Sequence, residues 1–221
     1  MLIAARESFA AAARKRLPYD ARVEYIEGTG TQWLDTGVLP RGYLRMTLFF
    51  SGYSFAAQGG SAWFFGSRTA YGVNGCGAYY DGAKIYAASG AQQLNANLDK
   101  ALLESARVHT LTVNLAFPGG LYLDGTQRVT FGTAANTWTT PTNAVAVLRM
   151  RLSATGLSMP PCRLRMHRFT IADTISGVDT PLHEWVAVRI GGVGAMYDTI
   201  GGGVLYNAGT GDFVLGPDVT T

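Results

Sequence analysis

The last quarter of the chain alternates short apolar runs with glycine, and this pattern constrains the fold more than any other feature of the sequence. Residues 204–206 and 213–215 are strand-like pieces, and they follow a glycine-rich segment at 191–203. Glycines that bind phosphate or a dinucleotide lie between a strand and a helix, whereas no helical pattern follows these glycines. The tail therefore predicts a tight β-meander.

The same β pattern extends over most of the chain from residue 25. Residues 108–117 alternate apolar and polar side chains, which is typical of a half-buried antiparallel strand. Asp81-Gly82 and Asp124-Gly125 each lie between apolar runs, and such pairs favour two-residue hairpin turns. Further strands are predicted at residues 43–50, 62–67, 128–131, 144–152, 163–171 and 184–190, while residues 92–105 allow a short helix or a long loop. The chain is therefore predicted to be all-β, a sandwich or a jelly roll.

Residues 2–17 contain neither glycine nor proline and are predicted to form an N-terminal α-helix that Pro18 ends. A narrow apolar stripe runs along this helix at three- and four-residue steps. Its members are candidate subunit-interface residues: Leu2, Phe9, Ala13 and Leu17. A single helix of this length is marginal alone in water, so it has to dock on its own sheet or serve as an anchor or oligomerisation arm. The expected division is a helical arm at 1–18 and a β-sandwich domain at 19–221.

The composition suits one β domain with a sizeable core, since 48% of the 221 residues are hydrophobic. Charged residues make up only 15% of the chain, against roughly 25% in an average soluble domain, and such a surface favours packing against other subunits. The net charge of +3 is small and the basic residues are scattered, which argues against a nucleic-acid partner. No apolar run approaches the ~18 residues of a membrane span, and the first residues do not match a secretory signal.

Few residues are arranged for catalysis. The glutamates at 7, 24, 27, 104 and 184 have no acidic neighbour at i+2 or i+4, the spacing that would bring two carboxylates within about 5 Å for retaining glycoside hydrolysis. The three histidines stand apart from any serine or cysteine nucleophile pattern, and His109 is expected to be a core residue. Cys76 and Cys162 are expected to be free thiols, or else one long-range disulfide. The sequence thus predicts neither an enzymatic activity nor a cofactor.

Two long motifs carry a resemblance to a known family. The first is Tyr25-Ile26-Glu27-Gly28-Thr29-Gly30-Thr31-Gln32-Trp33-Leu34-Asp35-Thr36-Gly37, and the second runs from Gly194-Ala195-Met196-Tyr197-Asp198-Thr199 to Asn207-Ala208-Gly209-Thr210-Gly211-Asp212-Phe213. With Phe65-Gly66-Ser67-Arg68 and Leu121-Tyr122-Leu123-Asp124-Gly125 between them, they resemble the concanavalin A-like lectin/glucanase superfamily. Within it, they are most similar to the LamG-like jelly-roll domains of phage and prophage tail or virion proteins and of gut bacterial surface proteins.

This resemblance implies a concanavalin A-like jelly-roll sandwich of two antiparallel sheets. It implies a virion component, such as a tail-associated, fibre or capsid-decoration protein, which is made in the host bacterial cytoplasm. Its partners would be other virion proteins or further copies of itself, in a homo-oligomer for which a trimer is one option. A free carbohydrate-binding module of a bacterial surface protein is the alternative, and a glycoside hydrolase is disfavoured by the carboxylate spacing. Terminal strands of such jelly rolls lie side by side, so the tail is expected to pack near the block at 25–37.

A glycan site would use exposed aromatic rings that stack on sugars, with amides or arginines for the sugar hydroxyls. The candidates for carbohydrate binding are Trp33, Trp63, Arg68, Tyr71, Asn74, Tyr79 and Tyr80, and the alternative role of each is core or interface.

LamG-like sandwiches often bind Ca²⁺, so Asp35 and Asp124 are candidate calcium ligands, with turn formation as the simpler role. The i and i+2 spacing of four arginines predicts either a solvated face or a cationic strip for a subunit or an acidic glycan; these are Arg149, Arg151, Arg163 and Arg165.

Overall fold

The computed structural model describes residues 17–54, 61–70, 73–132, 141–152, 156–158 and 161–220. The strands are β1 (Ala21–Arg22), β2 (Ile26–Thr29), β3 (Leu34–Asp35), β4 (Leu44–Ser51), β5 (Ala62–Ala70), β6 (Val73–Tyr80), β7 (Lys84–Gly90), β8 (Gln92–Asn97), β9 (His109–Asn114), β10 (Gly120–Leu123), β11 (Thr126–Thr130), β12 (Ala146–Val147), β13 (Met150–Leu152), β14 (Gly156–Ser158), β15 (Arg163–Asp173), β16 (Thr180–Ile190), β17 (Val193–Asp198), β18 (Val204–Leu205) and β19 (Val214–Leu215). The one helix among the described residues is α1 (Lys100–Leu103). The predicted all-β class is confirmed, whereas the helix predicted at 2–17 lies outside the described residues except for Leu17, which is exposed.

The strands form two sheets. In the larger sheet the order is β11-β10-β9-β4-β15-β16-β17-β18, with β2 beside β15, β1 beside β16 and β19 beside β2. In the smaller sheet the order is β14-β13-β5-β6-β7-β8, and β12 lies between β3 and β5. These strands pair antiparallel except for β13 and β5, which run parallel. The prediction of two antiparallel sheets is therefore confirmed.

One core fills the space between the sheets, because successive side chains of a strand point to opposite faces. Along β4 every second side chain is fully buried, namely Leu44, Met46, Leu48 and Phe50. Aromatic pairs join the sheets across the core, with ring centroids 5.3 Å apart for Phe50 and Phe64 and 5.4 Å apart for Phe65 and Phe169. Burying one such side chain contributes ~1.5–3 kcal/mol relative to leaving it exposed.

Both predicted Asp-Gly hairpins are present. Asp124 and Gly125 connect β10 to β11 with φ angles of 52° and 76°, and a two-residue type I′ turn requires positive φ at both positions. Asp81, Gly82 and Ala83 connect β6 to β7, and the Asp81 carboxylate accepts hydrogen bonds from the N–H groups of Ala83 and Lys84. Local turn chemistry therefore sets the register of both strand pairs.

The single strand predicted at 144–152 is two strands that run in opposite directions. Leu148 has a φ of 68°, in the left-handed region, and the chain turns back at this residue. As a result β12 pairs antiparallel with β5, and β13 pairs parallel with the same strand. The apolar run predicted a strand correctly on each side, but residue types do not report the one backbone torsion that divides it.

Residues 92–105 form the edge strand β8 followed by the single turn α1. In β8 the partly buried Leu94 and Ala96 pack on the core, and they alternate with exposed amide side chains at 93, 95 and 97. Asparagine is depleted in strands, so the composition of this segment concealed its period of two. The strand places a row of amides on the outer face of the smaller sheet.

The tail packs against the front block, as the sequence predicted. β19 pairs with β2, the Gly216 N–H donates to Tyr25 O at 2.9 Å, and the Ala208 N–H donates to Trp33 O at 2.9 Å. The two motifs are thus one structural unit. We call it the clasp, and it consists of residues 25–37 and 207–216.

Candidate functional site

Three aromatic side chains stand side by side on the outer face of the small sheet. Trp63, Tyr79 and Tyr86 lie opposite one another on β5, β6 and β7, and we call them the aromatic row. The ring centroids of Trp63 and Tyr79 are 4.6 Å apart with an interplanar angle of 28°, and those of Tyr79 and Tyr86 are 4.3 Å apart at 5°. The next residue of β6, Tyr80, points the other way into the core, where its hydroxyl donates to Leu98 O at 3.0 Å.

Glycine and alanine keep the sheet surface beside the aromatic row low. Gly75 and Gly77 in β6 lie opposite Gly90 and Ala88 in β7. Gly75 leaves room for the Arg68 side chain, since a Cβ on residue 75 would lie 2.5 Å from Arg68 Cγ. A shallow depression follows this surface, with Arg68 on its border. All four of these glycine and alanine residues are nevertheless buried, because side chains such as Arg68 cover this part of the sheet, and the depression measures only about 10 Å³.

Hydrogen bonds fix the two tyrosines of the aromatic row. The Arg68 guanidinium donates to Gln93 Oε1, and Gln93 Nε2 donates to the Tyr79 hydroxyl at 2.8 Å. A hydrogen bond to the Asp81 carboxylate raises the pKa of Tyr86. The rings are consequently held in one orientation before any ligand binds.

The edge strand β8 continues this surface with amides. Gln93, Asn95 and Asn97 are exposed at every second position and share the outer face with the aromatic row. Asn95 lies directly opposite Tyr86. Each amide offers two N–H donors and one carbonyl acceptor. The partly exposed Tyr86 ring at the end of the row and the exposed amides together suit a ligand that has both an apolar face and many hydroxyl groups.

Trp63, Arg68 and Tyr79, which the sequence singled out for carbohydrate binding, are brought together by the structure. Trp63 is only 2% exposed. The Tyr79 ring covers it from one side, and the Arg68 guanidinium carbon lies 4.8 Å from the centroid of its ring. Trp63 therefore supports the Tyr79 ring and does not present its own face to solvent.

Trp33 and Tyr80 do not belong to this surface. Trp33 is 7% exposed and lies in the clasp, and Tyr80 is 0% exposed on the inner face of β6. A ring in the core cannot stack on an external sugar, so these two residues take the alternative role and are corrected to core residues. Tyr71 lies outside the described residues, and only the backbone of Asn74 is described.

Sequence reasoning missed Tyr86 and the amides of β8. A two-residue turn at Asp81-Gly82 would place Lys84 opposite Tyr79, so the hairpin signal alone does not find Tyr86, which the structure pairs with Tyr79. The alternation of amides with Leu94 and Ala96 is a signal for β8, since it has the period of a strand.

The two candidate calcium ligands lie in different sheets. Asp35 is in β3, where it accepts hydrogen bonds from the Arg151 guanidinium and, at 3.1 Å, from the Gly37 N–H. Asp124 is in the turn between β10 and β11, and protein donors likewise engage its carboxylate. Across the described parts of the chain, no three His, Cys, Asp or Glu side chains are grouped so that they could hold a metal ion. Both residues thus have the simpler role of bonding to nearby backbone N–H groups, and both also pair with an arginine, which the sequence did not predict.

The four arginines do not form one continuous strip. Arg151 belongs to β13 of the small sheet and follows Arg149, whereas Arg163 and Arg165 belong to β15 of the large sheet. Two of the four are also paired with carboxylates, Arg151 with Asp35 and Arg165 Nε with Glu27 Oε2 at 2.9 Å. The predicted cationic strip is corrected accordingly, because the i and i+2 spacing says nothing about which sheet each pair joins.

His109 is buried, as predicted, but it is not isolated from a nucleophile. Its Nε2 lies 2.6 Å from Ser105 Oγ, and its Nδ1 lies 2.9 Å from Asp124 Oδ2. The bend after α1 and the β10–β11 turn bring these three residues together. The expectation that the histidines stand apart from any serine was therefore wrong for His109, and it was also wrong for His167.

Each of the other two histidines has only one of these two kinds of side-chain partner, a serine hydroxyl for His167 and an aspartate carboxylate for His183. His167 Nε2 lies 2.8 Å from Ser51 Oγ, but its Nδ1 faces the backbone carbonyl of Glu24 at 2.9 Å. His183 Nδ1 lies 2.7 Å from Asp198 Oδ2. Among the described residues, only His109 has a hydroxyl on one ring nitrogen and a carboxylate on the other.

Cys76 and Cys162 are free thiols in the core, as predicted. Burial raises the pKa of the Cys76 thiol to about 12 and that of Cys162 well above its usual value. Both thiols are therefore protonated at neutral pH, and neither is an activated nucleophile.

Comparison of the sequence with models of known protein families finds no match, and no curated protein matches it. Over the stretches of chain that the structure describes, no helix has the length and apolarity that crossing a membrane requires.

Proposed function

We propose that this chain is a phage or prophage virion component built on a concanavalin A-like jelly roll, and that it adheres to surface polysaccharide. The attachment surface is the outer face of the small sheet. The two motifs that meet in the clasp support the family, and the two-sheet all-β architecture agrees with it. The low content of charged residues, 15%, supports a protein that packs against other subunits.

The observation that carries the adhesive role is the aromatic row, which ends at Tyr86 beside the exposed amides of β8. A sugar ring has an apolar C–H face and hydroxyl groups at its edge, so aromatic rings and amides bind it together. Tyr79 is stacked between Trp63 and Tyr86, so Tyr86, at the end of the row, supplies the ring. Gln93 and Asn95, one strand further along, supply donors and acceptors about 4.8 Å away in the plane of the sheet. Arg68 is 6% exposed and bound to Gln93, which favours an uncharged glycan over an acidic one.

Binding to an array of bacterial surface polysaccharides and host glycans, followed by calorimetry on the best ligand, tests the adhesive role. We expect Tyr86→Ala and Asn95→Ala each to weaken binding by about tenfold, because a stacked ring or an amide hydrogen bond contributes ~1–1.5 kcal/mol. Tyr122→Ala is the matched control, since Tyr122 is a half-buried tyrosine of β10 in the other sheet. Absence of binding on the array, or an equal loss in the control, would contradict the proposal.

The virion role is tested independently of glycan binding. We expect mass spectrometry of purified particles, induced from a host that encodes the chain, to find it in a fixed ratio to the major tail or capsid proteins. If the chain binds glycan but is absent from particles, the alternative of a free carbohydrate-binding module replaces the virion role.

A further inference from the structure

The geometry points to a second functional site at the opposite sheet: Ser105, His109 and Asp124 form a serine nucleophile with its base and its orienting carboxylate, and Ser105 accepts acyl groups from small activated esters. The chain of contacts is continuous, with 2.6 Å between Ser105 Oγ and His109 Nε2 and 2.9 Å between His109 Nδ1 and Asp124 Oδ2. These are the two contacts that define an activated serine: nucleophile to base, and base to orienting group.

The charge of Asp124 determines which ring nitrogen of His109 carries hydrogen. Burial raises the pKa of Asp124, but hydrogen bonds from the Thr110 N–H and from His109, with the charge of Arg107, outweigh burial and hold that pKa below its usual value. The ionised carboxylate can only accept hydrogen bonds, so His109 Nδ1 carries the proton. In the neutral form of this ring the lone pair lies on Nε2, where it can accept the Ser105 hydroxyl hydrogen. This is the tautomer that a general base requires.

Asp124 is itself fixed in place. Its Oδ1 accepts from the Thr110 N–H at 2.9 Å, and its Oδ2 accepts from the Arg107 guanidinium at 2.7 Å. Because Asp124 lies in the type I′ turn, the hairpin itself sets the position of the carboxylate. The orientation of His109 is therefore determined before any substrate arrives.

Access to the site is through Ser105. His109 is 0% exposed and its ring lies against Phe50, with centroids 5.5 Å apart, whereas Ser105 is partly exposed in the bend after α1. In the described part of the chain, the N–H groups of Ser105 and Ala106 donate to no acceptor. Backbone N–H groups at and next to the nucleophile are the usual donors to a developing oxyanion.

The reaction forms one bond and breaks one. Ser105 Oγ attacks the acyl carbon of an ester while its proton passes to His109 Nε2, and the oxygen of the leaving group departs with the electron pair of the cleaved C–O bond. The imidazolium, stabilised by Asp124, then gives its proton to the leaving group or to solvent. Water repeats the sequence on the acyl-serine and releases the acid.

The molecule contains its own control for this site. Ser51 and His167 form the same hydroxyl–imidazole contact at 2.8 Å, but the second ring nitrogen of His167 faces a backbone carbonyl and not a carboxylate. Burial also lowers the pKa of His167. A reactivity that depends on the complete chain of three groups will therefore occur at Ser105 and not at Ser51.

The test uses the full chain and a fluorophosphonate probe, which loses fluoride when a serine oxygen attacks phosphorus. We expect one adduct per chain, mapped to Ser105 by peptide mass spectrometry, and no adduct in Ser105→Ala. The Asp124→Asn variant should be labelled at least about 100-fold more slowly than the wild type, since a positioned general base contributes about 10²–10⁴-fold to the rate. Asparagine tolerates a positive φ, so this variant keeps the turn. Ser51→Ala should label like the wild type.

Two outcomes would overturn the assignment. The first is no adduct at Ser105, or adducts spread over exposed serines. The second is an Asp124→Asn variant that is less stable towards urea but labels at the wild-type rate when folded, because a purely structural aspartate would change stability alone. Loss of glycan binding would not affect either result, so this inference and the adhesive role fail independently.

Discussion

Two glycines with positive φ are required for different reasons. At Gly77 in the small sheet a side chain would overlap the backbone, whereas at Gly125 only the φ angle favours glycine. Gly77 has a φ of 130°, and a Cβ at this position would overlap the carbonyl oxygen of Phe65. Gly125 also has a positive φ, 76°, but nothing lies within 4 Å of the place where its Cβ would be. The two positions therefore separate the cost of an unfavourable torsion from the cost of a clash with backbone.

We expect Gly125→Ala to lower the free energy of unfolding by ~1 kcal/mol, the cost of placing an L-residue in the left-handed region. Gly77→Ala should lower it by ~3 kcal/mol or more, because a clash with a central strand adds to the torsional cost. Urea denaturation monitored by tryptophan fluorescence measures both. Equal losses at the two positions would show that the sheet relaxes around residue 77.

Asp198 is a buried carboxylate that ends β17. Its Oδ2 accepts from His183 Nδ1 at 2.7 Å, and its Oδ1 accepts from the N–H groups of Glu184 and Ile200 at 3.1 and 3.0 Å. Burial raises the pKa of this group, but hydrogen bonds from His183 and from backbone N–H groups outweigh burial and lower the pKa below its usual value. The carboxylate form therefore stabilises the fold.

Asp198→Asn should lower the free energy of unfolding at pH 7 by ~1.5–3 kcal/mol, the range for hydrogen bonds to a charged group. The folded-state pKa is depressed, so this contribution is complete above the unfolded-state value of about 3.9 and is lost as the pH falls through the folded-state pKa. Denaturation curves of both proteins from pH 7 to pH 2.5 should thus converge in acid. A difference that stays constant over this range would contradict the assignment.

The clasp is the element that joins the two ends of the sandwich domain. Gln32 is 3% exposed and lies at its centre. Its Oε1 accepts from the Thr29 N–H at 2.8 Å, and its Nε2 donates to Asp212 O at 3.0 Å. The neighbouring Thr31 makes a similar contact with Thr210 O at 2.8 Å, but in an exposed position. The two residues form a matched pair that differs in burial.

Gln32→Ala should lower the free energy of unfolding by ~1–3 kcal/mol, because it leaves buried backbone groups without partners. Thr31→Ala should cost less than ~1 kcal/mol, since water can replace an exposed hydrogen bond. Chemical denaturation and hydrogen exchange of the β2 and β19 amides measure the effect globally and at the clasp. A larger loss for Thr31→Ala would show that the clasp is held mainly from its exposed side.

At the scale of the whole molecule, a group of exposed apolar side chains lies at one end of the sandwich. Tyr43, Phe117 and Ile175 line one cleft there and are 49%, 51% and 67% exposed. Grouped exposed apolar residues on a sparingly charged protein are typical of a surface that contacts other chains. With the amphipathic segment predicted at residues 2–17, this surface agrees with an assembly of subunits.

We expect size-exclusion chromatography with light scattering to give an oligomer for the full chain and a smaller species after deletion of residues 1–18. The deletion removes the apolar stripe that a lone helix would have to bury. Circular dichroism of the shortened chain serves as the control for an intact β-sandwich. A full chain that is monomeric, and unchanged by the deletion, would contradict the oligomerisation arm.

Most of the secondary structure followed from short-range pattern. Residues 108–117 alternate because one face of β9 is buried, and Asp124-Gly125 turns because both residues accept positive φ. The candidate site was predictable only in part. For each aromatic candidate the sequence left core and ligand contact as alternatives, because an aromatic residue suits a core and a surface equally well. The structure buries Trp33, Trp63 and Tyr80 and leaves Tyr79 partly exposed.

The sequence by itself determined the all-β class and the Asp-Gly hairpins, because turn propensity and a period of two act over a few residues. The meeting of the two terminal motifs was expected from the family resemblance alone, and the pairing of β19 with β2 confirms it. Only the tertiary structure decided which aromatic ring meets which and that Leu148 reverses the chain. It alone brought Ser105, His109 and Asp124 into one hydrogen-bonded chain. These contacts depend on strand register and on single backbone torsions, which no local pattern of residue types specifies.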